Sequence, residues 1–343
     1  MSAFVDVTDL SVTFPSEDGL VYAVEGVSLS VERGKTLAVV GESGSGKSVT
    51  AQAIMGLIDR RAATISGRVM VDGVDVNSAP PEVVRGMRGS KMAMIFQDPM
   101  SSLHPYYRIG AQLSEAVLAH EKVSKQEARD RSIEMLSRVG IPDPKKRVDD
   151  YPHQFSGGMR QRVMIGMALI NSPSLLIADE PTTALDVTVQ SQILELIDRL
   201  QAEYNTAVIL ITHDLGIVAD VADDVAVMYG ARVVERGSVD AIYRSPQMPY
   251  TLGLLASIPR LNRPTTQRLD PIPGNPPSPL RLPKGCVFAP RCTYRDLVPD
   301  DRCATERPDL LPAGDGQLVR CHLPEPTRAD LARSALTAMG GAS

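Results

Sequence analysis

The sequence predicts an α/β fold built on a mostly parallel sheet, and three observations support this prediction. Short apolar runs of strand length alternate with stretches of helical periodicity, the pattern of strand–helix–strand units. A glycine-rich loop follows the first of these runs, and an acidic pair follows a later one. With 343 residues, 43% of them hydrophobic, the chain can bury a substantial core. The runs assigned to core strands are residues 37–40, 92–96, 175–178 and 207–212.

The glycine-rich loop predicts a binding site for the phosphates of a nucleotide. Gly41, Gly46, Lys47 and Ser48 satisfy the pattern G-x-x-x-x-G-K-[ST], so the fold class is that of a P-loop NTPase. The glycines let successive backbone N–H groups converge on phosphate oxygens at a helix N-terminus. We expect Lys47 to reach the β- and γ-phosphates and Ser48 to bind Mg²⁺. The other loop residues predicted to bind ATP are Ser43, Gly44, Ser45 and Val49.

Antiparallel strands are predicted on either side of this core. Residues 4–40 alternate apolar and polar positions around a polar turn, which favours antiparallel strands covering one end of the sheet. Residues 67–76 predict a hairpin with Asp72 and Gly73 as its turn. Residues 225–237 predict a closing strand pair that completes the core.

Helical periodicity predicts an inserted helical subdomain at about residues 100–170. Apolar side chains recur at helical spacing within residues 109–141, and another helix is predicted after Ser156. A further helix is predicted over residues 189–200. Together these elements predict one nucleotide-binding domain over residues 1–245.

The composition changes near residue 246. Residues 259–283 contain eight prolines, which cannot form regular helix and favour an extended course over the surface. We expect residues 246–327 to form a C-terminal extension and the Ala-rich residues 328–343 to form a tail with a frayed helix.

Charge and hydropathy exclude several classes of protein. The net charge of −5 and the pI near 5.6 argue against general affinity for nucleic acid, which requires a basic patch. The longest apolar runs fall well short of the ~20 residues that span a bilayer. The N-terminal residues lack the basic and apolar regions of a secretory signal, so we expect a cytosolic protein.

Two further motifs carry chemistry. Asp179 and Glu180 end an apolar strand, and we expect Asp179 to hold Mg²⁺ while Glu180 polarises the attacking water. Ser156, Gly157 and Gly158 lead into a helix, where free N–H groups and a hydroxyl suit a second phosphate-binding edge.

The order of these motifs resembles the nucleotide-binding subunit of ATP-binding cassette (ABC) transporters over residues 4 to about 240. The resemblance implies ATP hydrolysis with Glu180 and His213 as catalytic residues, the histidine contacting the γ-phosphate. It also implies that Gln97 contacts both ATP and Mg²⁺ and that Tyr22 stacks on the adenine.

The resemblance further implies that a second subunit completes the site. In this family the Ser-Gly-Gly segment acts across a dimer, and a loop aspartate links the two sites. The residues implied to act in trans are Ser156, Gly157, Gly158, Met159 and Asp186. The family's signature commonly has glutamine at the position of Met159, whose thioether cannot reproduce the amide hydrogen bonds. The Ser-Gly-Gly phosphate contacts are intact, and because Glu180 and His213 are both present, we expect a hydrolytically competent site.

Residues 271–277, 285–292 and 151–162 resemble the oligopeptide and dipeptide transporter ATPases. This implies an ATPase that powers peptide import from the cytoplasmic face of a bacterial inner membrane. The implied partners are a homologous ATPase, two membrane permeases and an extracytoplasmic peptide-binding protein. Nickel or another small solute is the alternative cargo. A soluble non-transport ABC ATPase is less favoured because the chain has one P-loop, and a GTPase lacks its Asn-Lys-x-Asp motif.

All four cysteines fall in the extension, at Cys286, Cys292, Cys303 and Cys321. The intervening five, ten and seventeen residues are not a C-x-x-C zinc spacing, and a reducing compartment disfavours disulfides. In some members of the family that the extension resembles, four cysteines hold an iron–sulfur cluster, and four thiolates fit [4Fe–4S] chemistry. Zinc and reduced, unliganded thiols are the alternatives.

Overall fold

The computed structural model describes residues 3–98, 102–183, 185–258, 272–314 and 316–338. The strands are β1 (Val5–Ser16), β2 (Gly19–Val31), β3 (Thr36–Val40), β4 (Thr64–Val71), β5 (Val74–Asp75), β6 (Met92–Ile95), β7 (Leu175–Asp179), β8 (Ala207–Thr212), β9 (Asp224–Tyr229), β10 (Arg232–Ser238), β11 (Leu311–Ala313) and β12 (Gln317–Val319). The α-helices are α1 (Lys47–Ile54), α2 (Pro81–Met87), α3 (Ile109–Leu118), α4 (Lys125–Arg138), α5 (Pro144–Arg147), α6 (Gly157–Leu169), α7 (Val187–Tyr204), α8 (Leu215–Val221), α9 (Val239–Arg244), α10 (Pro249–Ala256), α11 (Arg302–Thr305) and α12 (Glu325–Ala338).

A mixed sheet of eight strands forms the centre of the molecule. Its spatial order is β11-β12-β10-β9-β3-β8-β7-β6, and the five strands from β9 to β6 run parallel to one another. Strands β3, β7 and β8 are buried at every position, which explains their uninterrupted apolar sequences. The predicted mixed core sheet is confirmed.

The two faces of the central sheet pack against different layers. Ile209 and Ile211 of β8 pack with α1 and the antiparallel strands, whereas Val208 and Leu210 pack with the helical subdomain. This division follows from the two-residue period of a strand, which directs successive side chains to opposite faces.

A four-stranded antiparallel sheet, in the order β2-β1-β4-β5, covers one face of the core. The antiparallel strands are predicted from the sequence, but at one end of the core sheet. The β4–β5 hairpin turns at Asp72 and Gly73, whose φ angles of 50° and 79° are both positive. A type I′ turn requires positive φ at both central residues, which is why the Asp-Gly pair predicts the hairpin correctly.

Helices α3, α4 and α6 pack together and form the predicted helical subdomain. Ser124 caps α4 by accepting a hydrogen bond from the Glu127 N–H at 3.1 Å, and Gly140, with φ of 75°, lies just beyond its end. Helix α2 has no counterpart among the predicted elements. It has only seven residues, too few for a clear helical period.

The C-terminal extension joins the core sheet. Strand β12 pairs antiparallel with β10, and β11 pairs with β12. Neither strand is predicted from the sequence, because strands of three residues are too short to show alternation. Residues 272–283 are irregular, as their prolines predict, and the earlier part of the proline-rich run lies outside the described residues.

Helix α12 begins at Glu325 and passes through residue 328, where the sequence places the start of the tail. Arg328 is buried and donates hydrogen bonds to the Leu323 carbonyl at 2.5 Å and to Gln247 Oε1 at 3.3 Å. The helix is therefore anchored at its first turn. The division of the chain at residues 245 and 327 stays a prediction.

Within the described ranges, no helix combines the length and apolarity needed to cross a bilayer.

Candidate nucleotide-binding site

The P-loop connects the buried strand β3 to helix α1. At Gly46, φ is 102°, and a Cβ atom would lie 2.4 Å from the carbonyl oxygen of Ala23 on β2. At Gly41 a Cβ atom would lie 2.2 Å from the Met228 carbonyl oxygen. Both positions therefore require glycine, and the loop is closely packed against β2 and β9.

Lys47 lies inside this loop and is only 5% exposed. Its Nζ donates hydrogen bonds to the carbonyl oxygens of Gly41 at 2.7 Å and Glu42 at 3.0 Å. Burial lowers the pKa of Lys47, opposed by the nearby carboxylates. An anion bound in the loop would stabilise the protonated form of Lys47 and raise its pKa.

A buried hydroxyl in the loop also lacks a partner. Among the described residues, Ser45 Oγ is one of three buried side-chain polar atoms without a hydrogen bond. Leaving such a group unsatisfied costs about 1–3 kcal/mol. Its position within a phosphate-binding motif indicates a ligand that would supply the missing partner.

Ser48 and Asp179 are brought together by the parallel pairing of the core strands. Ser48 Oγ donates to Asp179 Oδ1 at 3.1 Å. Asp179 is 6% exposed, and burial raises the pKa of its carboxyl group. A cation bound between these oxygens would favour ionisation of the carboxyl group.

Glu180 lies at the end of β7 with φ of 47°, and its carboxylate is held from several sides. Gln97 Nε2 donates to Glu180 Oε2 at 3.1 Å, and Thr183 Oγ1 donates to the same oxygen at 2.8 Å. His213 Nδ1 lies 3.5 Å from Glu180 Oε1. Thr183 is not predicted from the sequence, because a single hydroxyl in a loop belongs to no recognised motif.

Glu180, Gln97 and His213 face a cavity of about 580 Å³. The cavity is lined by Glu42, Ser43, Gln97, Glu180, His213, Leu254, Ser257 and Ile272. The last three come from α10, the residue after it and the extension, and the sequence analysis missed them. They are isolated apolar or small residues more than 200 positions after the P-loop, so no local motif identifies them.

Tyr22 lies on β2 beside the P-loop, because the next residue, Ala23, contacts Gly46. The tyrosine is 37% exposed, and its backbone N–H donates to the Pro279 carbonyl at 3.0 Å. The ring is thus accessible at the edge of the loop, where an adenine could stack on it.

The Ser-Gly-Gly segment forms the N-terminus of α6. Ser156 Oγ accepts a hydrogen bond from the Met159 N–H at 3.3 Å, while Gly157 is exposed, with no atom within 4 Å of a Cβ position. Met159 packs against the helical subdomain. Asp186 caps α7 by accepting from the Val189 N–H at 3.0 Å. The segment therefore presents an open helix N-terminus.

The four cysteine side chains converge on one small cavity in the extension. They line a space of about 10 Å³ together with Phe288 and other side chains. Burial raises the pKa of every one of these thiols, and that of Cys321 to about 12. Across the part of the chain that the structure describes, no three His, Cys, Asp or Glu side chains are arranged as a ready metal site.

Comparisons with known proteins identify the family. The ABC transporter family model matches residues 24–183, and the model of the oligopeptide/dipeptide transporter C-terminal region matches residues 234–297. The chain is 48% identical over 327 residues to the oligopeptide transport ATP-binding protein OppD of Bacillus subtilis, covering 95% of this chain and 90% of that protein. It is 50% identical over 324 residues to the dipeptide transport ATP-binding protein DppD of the same organism, covering 94% and 95%.

A solved structure agrees with this assignment. The dimeric ATP-binding cassette MJ0796, in a post-hydrolysis state bound to ADP and Pi, superimposes with a TM-score of 0.62 at 26% identity. The match covers 68% of this chain and 98% of that cassette. The P-loop and the Asp179–Glu180 pair lie within the matched transporter model, and the first two cysteines lie within the matched C-terminal model. The chain therefore belongs to the ATP-binding subunits of the oligopeptide/dipeptide ABC transporter family.

Proposed function

We propose that this chain is the ATP-hydrolysing subunit that powers the import of oligopeptides or dipeptides through an ABC transporter. The observation that carries the proposal is that Lys47, inside the P-loop, lies near the carboxylates of Asp179 and Glu180, with Ser48 bonded to Asp179 and Glu180 facing the cavity. The cargo follows from the peptide transporters to which nearly the whole chain is similar. The same ATPase role for nickel or another small solute is the alternative.

The site supports in-line attack of water on the γ-phosphorus. Glu180 orients the water and accepts its proton, the Pγ–O bond to ADP breaks, and His213 donates a hydrogen bond to the γ-phosphate. Gln97 and Thr183 hold the Glu180 carboxylate in place for this step. Lys47 carries the positive charge that stabilises the phosphates.

The oxygens of Ser48 and Asp179 fit Mg²⁺, which prefers hard oxygen ligands, and Gln97, whose Nε2 donates to Glu180, would add its amide oxygen. When bound, Mg²⁺ neutralises charge on the β- and γ-phosphates. Tyr22 would stack on the adenine, and Ser43, Gly44, Ser45, Gly46 and Val49 would surround the phosphates.

We further propose that the working unit is a dimer with a homologous ATPase. The exposed Ser156-Gly157-Gly158 segment would bind the γ-phosphate of the partner's nucleotide, with Asp186 linking the two sites. The dimeric state of the similar cassette supports this arrangement. Met159 packs partly against the core of the helical subdomain. A side chain at this position therefore need not face the nucleotide, and methionine in place of glutamine is compatible with ATP hydrolysis.

The permeases would dock in an apolar groove of about 560 Å³ between the core and the helical subdomain. Its lining includes Met94, Phe96, His120, Met164 and Met167. Phe96 is 43% exposed and precedes Gln97, so a helix inserted there would adjoin the group that holds Glu180. The chain would thus sit on the cytoplasmic face of the inner membrane, below permeases served by an extracytoplasmic peptide-binding protein.

We propose that the four cysteines hold a [4Fe–4S] cluster. All four thiols reach one enclosed cavity, and thiolates are the ligands that such clusters prefer. The space of about 10 Å³ is smaller than a cluster, so the thiols would have to move apart to hold one. Iron, sulfide and zinc analysis of anaerobically purified protein tests this: zinc alone, or metal-free folded protein, contradicts it.

The experiment that tests the main function uses the assembled complex in proteoliposomes. Glu180→Gln removes the base but preserves the side-chain shape, so we expect Mg-ATP binding to persist and turnover to fall ~10²-fold or more. Peptide uptake should fall with it. Unchanged turnover would contradict the role of Glu180, and uptake of nickel without peptide uptake would favour the alternative cargo.

A further inference from the structure

The C-terminal extension contacts the P-loop through one buried ion pair. Arg291, which immediately precedes Cys292, lies on a short 3-10 helix, Ala289–Arg291, and its side chain is 6% exposed. Its two terminal nitrogens donate to the two carboxylate oxygens of Glu42, at 2.7 and 3.1 Å. Glu42 is the second residue of the P-loop, 249 positions earlier in the chain.

The guanidinium also holds the surrounding backbone. Its Nε donates to the Pro273 carbonyl at 2.7 Å and one terminal nitrogen to the Ile272 carbonyl at 3.2 Å. The other terminal nitrogen donates to the Tyr229 hydroxyl at 3.2 Å. A planar guanidinium with this many well-placed acceptors has little freedom, because each acceptor fixes its position.

Every polar group of Glu42 is engaged at the same time. Its carboxylate accepts from Arg291, its N–H donates to the Tyr250 hydroxyl at 3.0 Å, and its carbonyl accepts from Lys47 Nζ at 3.0 Å. Arg291 therefore connects through a single residue to the lysine that binds phosphate. Glu42 and Ile272, both held by Arg291, also line the nucleotide cavity.

We infer that Arg291 is a positioning residue for the P-loop, so that the extension sets the affinity of this chain for ATP. It acts through Glu42 and does not touch the nucleotide. The inference rests on the proposed function only in that the loop binds ATP; it does not depend on the cargo or on any metal at the cysteines.

The test compares Mg-ATP binding by the full chain in a set of variants. Arg291→Ala should raise the Kd of a fluorescent ATP analogue about tenfold, because the loop is no longer held in its binding conformation. Glu42→Ala should have a similar effect, and the double variant should be no weaker than either single variant, since both break one link. In the assembled complex, KM should rise more than kcat falls.

Arg295→Ala is the matched control. Arg295 lies beside the cysteines but pairs with Asp296 in an exposed position, so we expect an unchanged Kd. If Arg291→Ala fails to fold, the Kd of Glu42→Ala tests the inference, because that variant leaves the cysteine region intact. Arg291→Lys keeps the positive charge but loses the paired hydrogen bonds of the guanidinium, so it should show an intermediate Kd.

Two results would overturn the inference. One is wild-type Kd and KM in Arg291→Ala or Glu42→Ala, even with a lowered unfolding temperature, which would make the pair purely structural. The other is additive losses in the double variant. If the wild-type protein binds Mg-ATP but its complex imports no peptide, the proposed function is contradicted. The role of Arg291 in ATP affinity can still be tested by the Kd values of the variants.

Discussion

The P-loop and the cysteine-bearing extension are ordered by different interactions, although they touch at Arg291 and Glu42. The strand that leads into the P-loop is held by backbone pairing, since β3 has parallel partners on both sides. Much of the extension is held by arginines that donate to carbonyl groups. Arg320 donates to the Val233 carbonyl at 2.8 Å and the Pro308 carbonyl at 3.2 Å, and Arg307 donates to the Lys284 carbonyl at 3.2 Å.

This difference has a consequence for mutation. In a region that is stabilised mainly by backbone hydrogen bonds, the side chains contribute less to stability. Replacing a catalytic side chain there should therefore lower activity more than stability. Where side chains hold the backbone, the loss of one arginine leaves several carbonyls without donors and should affect stability first. The following predictions test that contrast.

The largest effect is expected in the P-loop. Lys47→Ala should lower ATP turnover ~10³-fold by removing the charge on the phosphates, while the unfolding temperature changes by less than about 3 °C. ATPase assays and thermal unfolding measure both. Lys35→Ala, which removes an exposed lysine paired with Asp223, serves as control and should leave turnover unchanged. If Lys47→Ala unfolds the protein, the expectation that P-loop side chains affect activity more than stability is wrong.

In the extension, Arg320→Ala should lower the free energy of unfolding by about 2–4 kcal/mol, because the carbonyls of Val233, Pro308 and Gly26 lose a charged donor. The KM for ATP of the protein that remains folded should stay unchanged. Urea unfolding and ATPase assays provide the measurements, with the exposed Arg333→Ala as control. A changed KM without a change in stability would run against this prediction.

The junction between β10 and the start of α10 predicts a pH dependence. Glu235 is fully buried, accepts hydrogen bonds from the N–H groups of Gln247 and Met248, and burial raises its pKa from 4.5 to about 7. The folded state therefore holds the proton more tightly than the unfolded state. This contribution to stability is present below the unfolded pKa and is lost as pH rises through about 7.

We expect the wild-type free energy of unfolding to fall between about pH 4.5 and pH 7, by at most about 1.4 kcal/mol per pH unit from this group. Glu235→Gln, which cannot ionise, should show a flatter profile in urea unfolding. Identical profiles for the two proteins would mean that Glu235 does not titrate in this range.

The smallest effect is expected from replacing the serines that cap two helices, Ser156 of α6 and Ser124 of α4. Ser156→Ala and Ser124→Ala each remove a hydroxyl that accepts a backbone N–H, so each should cost about 1 kcal/mol of stability. Only Ser156→Ala should also lower ATP turnover in the assembled complex, because only Ser156 lies in the proposed interface. Equal turnover in both variants would argue against a role for Ser156 in trans.

The contrast also explains what could be predicted from the sequence. The P-loop, the Asp72-Gly73 turn and the core strands depend on neighbours in sequence, so short motifs and apolar runs reveal them. The pair of Arg291 and Glu42 joins residues 249 positions apart and leaves no local pattern. The same holds for Ile272 in the nucleotide cavity, which only the path of the extension brings there.

The pairing of β12 with β10 has a consequence for synthesis of the chain. Residues 36–40 and 207–229 can form the parallel centre of the sheet early, but β10 keeps an open edge until residues 317–319 have left the ribosome. An open strand edge offers unpaired N–H and C=O groups to other chains. During this interval the parallel strands of the ATP-binding core can be formed, while the β10 edge of the sheet is still exposed and able to pair with another chain.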